Sequence, residues 1–209
     1  MGNFEIFDNT FQLVLLLSMC LAANILHWRT KDHRYFILGC GYGSFFLGTL
    51  FYLLHLVILN YVPQIFYVSE ISWLGAYLFF LSLLGSKWTR EKGRFYILPS
   101  LAAALVFAAS MILQIFGPSL LLSISFAATI GAIVFLSVSG LKSKKREAKA
   151  SRRLHINMIL LVLLQISVYL TSVFTTDYTH FNLYFAADML FTLTMAGLLF
   201  SLHREVSRK

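Results

Sequence analysis

The chain has 209 residues, of which 58% are hydrophobic and only 12% charged; soluble domains carry about 25% charged residues, so a soluble globule is excluded. The net charge of +8 would suit a nucleic-acid binder. The bases, however, sit in short gaps between apolar runs, as at a cytoplasmic membrane surface, so no nucleic-acid partner is expected.

A bilayer core about 30 Å thick takes roughly 20 apolar residues per helix, and each spanning segment must satisfy its own backbone hydrogen bonds. Seven runs fit. The N-terminal MGNFEIFDNT carries Glu5 and Asp8 and no base, the reverse of a signal peptide's start, and Gly2 lacks the Ser or Thr at position 6 that myristoylation wants. The first helix is expected over 10–26, followed by a basic gap with Arg29, Lys31 and Arg34. The second covers 35–60 and leads to an uncharged gap whose Pro63 suits a turn. The third covers 70–85, with Ser69 as its N-cap and Glu70 complementing the helix dipole. A second basic gap holds Lys87, Arg90, Lys92 and Arg94. The fourth helix (95–116) turns at Gly117-Pro118 into the fifth (119–140). The loop 141–153, LKSKKREAKASRR, holds seven of the 17 Lys and Arg residues. The sixth helix (155–174) and the gap TTDYTH precede the seventh (181–202), and the tail carries Arg204, Arg208 and Lys209.

Charge checks this count. The first, third and fifth loops and the tail hold three, four, seven and three of the 17 bases, and the other segments hold none. The positive-inside rule then puts the N-terminus outside and the C-terminus in the cytoplasm. The expected fold is an all-α polytopic membrane protein, a single seven-transmembrane-helix bundle over 1–209 in the cell membrane; a third segment that is partly re-entrant is the main alternative. The bilayer is the expected partner, with anionic headgroups at the basic cytoplasmic loops and room there for a protein partner. A 3+1+3 repeat has one local match, FYVSE in the third segment beside YFAAD in the seventh.

Asp188 is the sharpest polar signal. It lies about 10 Å inside the seventh segment, and an intramembrane carboxylate usually faces the bundle interior or a water-filled cavity. Phe185, Thr192 and Met195 share its helical face. Glu70, Trp73 and Tyr77 share a face of the third helix, which could wall an outward pocket, although the helix dipole alone would also account for Glu70. On the second helix Gly41, Ser44, Gly48, Tyr52 and His55 form one stripe. Its glycines suit close helix packing, while Tyr52 or His55 could meet Asp188. Gln165 and Tyr169 share a face of the sixth helix, where an amide wants a partner. Trp28 and Trp88 read as interface anchors. Asp188, His55, Glu70, Tyr52, Tyr77, Gln165 and Tyr169 are therefore the candidate ligand-binding residues. The excess of acids over bases on this side favours a cationic or hydroxylated ligand.

No catalytic or metal-ligating constellation is present: HExxH, GxSxG, a P-loop and CxxC are all missing. Cys20 and Cys40 lie within apolar stretches, where a disulfide framework is not expected. The seventh segment has no lysine for a retinal Schiff base. No cofactor is expected. With its outside-in topology, short basic loops and aromatic-rich outer half, including YVSEISWLGAYLFFLSLL, the chain resembles the seven-helix membrane sensor modules of bacterial signalling proteins. The resemblance implies a receptor-like or sensory role. A small-solute or ion-coupled transporter and a structural subunit of a membrane complex are the alternatives.

Overall fold

The computed structural model describes residues 3–59, 67–86, 96–114, 119–143 and 151–207. They form α1 (Asn3–Thr30), α2 (His33–Leu54) continued by a π-helical turn (His55–Leu59), α3 (Tyr67–Gly85), α4 (Ile97–Leu113), α5 (Leu120–Lys142), α6 (Arg152–Phe174) and α7 (Leu183–Val206). Among the described residues there is no strand. Among the described residues, six helices are long and apolar enough to cross a membrane, and α4 is shorter and apolar. The chain is thus an all-α polytopic membrane bundle. The expected turns at Pro63 and Gly117-Pro118, Trp88, the basic gap 87–94, positions 144–150 and the last two residues lie outside the described residues.

Six helices close a ring. α1 packs on α2, α2 on α3, α3 on α5, α5 on α6, α6 on α7, and α7 back on α1. α4 stands outside the ring against α5, touching α6 only slightly. Its outward leucines, Leu98, Leu101 and Leu105, are exposed, as a lipid-facing stripe should be. Its other side approaches α5 closely because position 131 is a glycine: a Cβ there would lie 3.3 Å from the Ala103 carbonyl. Exchanging α1, α2 and α3 for α5, α6 and α7 leaves the ring's neighbour order unchanged, as it does for any six helices ringed in chain order; in this 3+1+3 arrangement α4 is the extra helix.

The small residues of α2 do what close packing requires. A Cβ at Gly41 would sit 2.6 Å from the Phe80 ring, and one at Gly48 2.8 Å from the Trp73 indole nitrogen. Ser69 is not the N-cap of α3. The helix begins at Tyr67, and the buried Ser69 hydroxyl donates to the Gly48 carbonyl at 3.0 Å. Below the acidic end, Tyr42 OH donates to the Met195 carbonyl at 2.6 Å, joining α2 to α7 across the ring, and Tyr77 OH donates to Gln165 Oε1 at 2.8 Å, joining α3 to α6. The exchange of halves carries one of these helix pairs onto the other.

Polar groups gather at the two ends of the bundle. At the basic end, Asp32 caps α2 by accepting from the Arg34 backbone N–H. The buried Arg34 guanidinium pairs with Asp32 and, at 2.6 Å, with the buried Glu205 of α7. Beside it, Tyr35 OH and His203 Nδ1 lie 2.9 Å apart. The acidic end carries Glu5, Asp8, Glu70, Asp177 and Asp188 and, among the described residues, no Lys or Arg.

α1 starts seven residues before the expected 10–26 span. Its 28 residues reach about 42 Å, the thickness of a bilayer with its headgroup layers. The early start follows from two kinds of partner. Phe4 packs against Phe181 and Phe185, with ring centroids 5.4 and 4.8 Å away. Glu5 and Asp8, which precede the expected span, turn inward and are buried. Asn182 caps α7 by accepting from the Phe185 backbone N–H, so that helix begins at Leu183.

Candidate functional site

The acidic half of the ring encloses a cavity of about 450 Å³, and all six ring helices contribute to its wall. The lining runs from Glu5 to Gln12 on α1, from Gln165 to Ser172 on α6 and from Tyr184 to Phe191 on α7. Each stretch is about two helical turns, so the wall is roughly 10 Å deep. α2 adds Phe45 and Tyr52, α3 adds Glu70 and Trp73, and α5 adds Phe126. Tyr178, from the segment between α6 and α7, stands at the rim.

Asp188 lies on this wall, deep in the bundle yet partly accessible because the cavity reaches it. Its Oδ1 accepts from Gln12 Nε2 at 3.5 Å, and the Asp8 carboxyl is close enough to interact with it electrostatically. Gln12 is the hub beneath. Its Nε2 also donates to Thr192 Oγ1 at 3.0 Å, and its Oε1 accepts from Thr49 Oγ1 at 2.8 Å. One buried amide therefore ties α1, α2 and α7 together. Phe185, Thr192 and Met195, expected on the Asp188 face, are all buried.

Five of the seven candidate residues share the cavity: Asp188, Glu70, Tyr52, Gln165 and Tyr169. Tyr77 is buried just beyond it and hydrogen-bonds Gln165 from behind. His55 does not line it; it opens the π-helical turn, with its ring 4.8 Å from that of Phe51. Tyr52 donates to Glu5 Oε1 at 2.9 Å rather than to Asp188. The reason is the ring order: α1 stands between α2 and α7, so the outer part of α2 meets the acid of α1 first. Glu5, Asp8, Asn9 and Gln12 are not among the sequence candidates; a helix expected to start at position 10 leaves the first three outside the bundle. The signal that could have found them is their spacing. Glu5, Asp8, Asn9 and Gln12 recur at three- and four-residue intervals on one helical face.

Glu70 presents a half-buried carboxylate to the cavity, with no hydrogen-bond or ion-pair partner among the described residues. It is close enough to Tyr169 across the space for the two to interact electrostatically. At the rim, burial first and the Glu5 carboxylate second push the Tyr178 phenol above its usual range. Asp177 beside it is exposed and held below the ordinary carboxylate range, mainly by hydrogen bonds from the Thr179 hydroxyl at 2.6 Å and the Thr179 backbone N–H at 2.8 Å.

Among the described residues, no group of three or more His, Cys, Asp or Glu side chains could hold a metal ion. The arrangement is suited to binding: a walled space with carboxylates, tyrosine hydroxyls and aromatic rings. No family model, curated protein or solved structure matches the chain.

Proposed function

We propose that this chain is a small receptor-like or sensory protein of the cell membrane, binding a small ligand or a proton in the outer half of its bundle. The observation that carries the reading is the cavity walled by six helices with Asp188 on its side. Asp188 is the central contact, with Glu70, Tyr52, Gln165 and Tyr169 around it. The alternating charge of the loops supports an outward-facing acidic end, and the resemblance to bacterial seven-helix sensor modules agrees with a sensory role. Because α7 carries Asp188 towards one end and Glu205 at the other, a shift of α7 on binding bears on the Arg34–Glu205 pair at the basic end. There the basic loops would meet anionic headgroups or a cytoplasmic protein partner.

One observation favours a transporter as the second reading. The 3+1+3 packing order is that of folds built from two repeated halves, which alternate access to a site between them. That mechanism must break the Tyr42–Met195 and Tyr77–Gln165 bonds and, at the basic end, the Tyr35–His203 contact. A purely structural subunit calls for a pocketless bundle, and the cavity weighs against it.

The test is access. With Cys20→Ala and Cys40→Ala removing the native thiols, Ser172→Cys puts a thiol on the cavity wall. A membrane-impermeant maleimide added outside intact cells should label it, and Asp188→Asn should leave labelling intact while altering ligand response. A thiol reached only from the cytoplasmic side would overturn the reading. Uptake of a bound solute into sealed vesicles would turn it to the transporter.

A further inference from the structure

We infer that the cavity takes a small organic amine or ammonium ion with an apolar, preferably aromatic, body. The inference rests on the binding role proposed above and narrows it to one chemical class.

Three features of the wall point the same way. The first is charge. Glu5, Glu70 and Asp188 line the space, and among the described residues no Lys, Arg or His lines it. The second is hydrogen-bonding capacity. Asn9 uses one of its two amide N–H groups on the Glu5 backbone carbonyl, and Gln12 uses both of its own on Thr192 and Asp188. Glu5 and Asp188 already accept bonds from Tyr52 and Gln12. The carboxylate left without a partner among the described residues is Glu70. An acceptor in want of a donor favours an ammonium N–H over a carboxylate ligand, and a charged donor makes the stronger bond. The third is the rest of the wall. Phe45, Trp73, Phe126 and Phe191 come from four different helices, and aromatic faces attract cations while covering apolar surface.

Size separates this class from its rivals. A space of about 450 Å³ is in the range of small-molecule pockets and far larger than a bare ion needs. The aromatic walls offer a metal ion few oxygen ligands. A sugar would need paired donors and acceptors in quantity, and three of the six N–H groups on Asn9, Gln12 and Gln165 are already bonded inside the protein.

The experiment uses the full chain in lipid nanodiscs, carrying Ser172→Cys with Cys20→Ala and Cys40→Ala. The rate of maleimide reaction at the introduced thiol is followed while 2-phenylethylamine or its neutral counterpart 2-phenylethanol is titrated in. The amine should protect the thiol saturably, at concentrations at least about tenfold lower than the alcohol, the difference expected of one charge-assisted hydrogen bond. Glu70→Gln should abolish that preference. Maleimide access in this variant without added compound reports that its cavity is intact. Equal protection by amine and alcohol, a preference that survives Glu70→Gln, or no protection by the amine of a thiol that maleimide reaches would each overturn the inference while leaving the cavity's binding role standing. A thiol that maleimide never reaches in the folded protein would sink that role and this inference together.

Discussion

Tyr77 on α3 donates its hydroxyl hydrogen to Gln165 Oε1 on α6 at 2.8 Å, across the ring at the cavity floor. Neither residue meets its partner through neighbouring helices alone, since α5 stands between α3 and α6 in the ring. The bond therefore sets the floor's width as well as satisfying two buried groups. Tyr77→Phe should destabilise the bundle by about 1 kcal/mol, the scale of interhelical hydrogen bonds in membranes. Pairing it with Gln165→Leu should cost less than the sum of the single changes, because the two act through one bond. Reversible unfolding in mixed micelles measures both.

The glycines of α2 provide a packing test with an internal control. Gly41→Ala drives a methyl to 2.6 Å from the Phe80 ring, which is itself fully buried. The α2–α3 contact must then part, at about 1–3 kcal/mol. At Gly85 a Cβ would meet nothing within 4 Å. Gly85→Ala should be neutral or stabilise by up to about 1 kcal/mol through helix propensity and chain entropy. Melting temperatures in one detergent decide the pair.

The ion pair at the basic end should respond asymmetrically to mutation. Arg34→Met leaves Glu205, 2% exposed, without its guanidinium partner, and such removals typically cost about 3–5 kcal/mol. Adding Glu205→Leu removes the carboxylate that has lost this guanidinium and should restore part of that loss. If the single and double variants unfold at the same denaturant concentration, the pair is not coupled as described.

The rim gives a pH prediction. Bonds from Thr179 hold Asp177 below its ordinary value of 3.8. A depressed carboxyl contributes order that is present above the unfolded value and lost as pH falls through the lowered one. The segment around Asp177 should therefore keep its structure at neutral pH and loosen only in strong acid. Thr179→Val should move the Asp177 titration upward, as carboxyl NMR would show. Because Asp177 is exposed, the melting of the whole bundle should not follow it.

The primary structure alone determined the class of this protein, the number of its helices and the segregation of its charge. Those properties are local. Hydropathy is summed over about twenty consecutive residues, and each basic gap declares itself without reference to any other segment. It also marked Asp188, Glu70, Tyr52, Gln165 and Tyr169, because a polar group in an apolar run is costly wherever the run packs. Only the tertiary structure decided which of these meet. Ring order is a property of helix pairs, and it put α1 between α2 and α7, sending Tyr52 to Glu5 and leaving His55 off the cavity wall. It also decided that Glu5, Asp8 and Gln12 belong inside. Their burial is stabilised by Tyr52, Asp188, Thr49 and Thr192, partners more than 35 residues away in the chain, and no local window contains them.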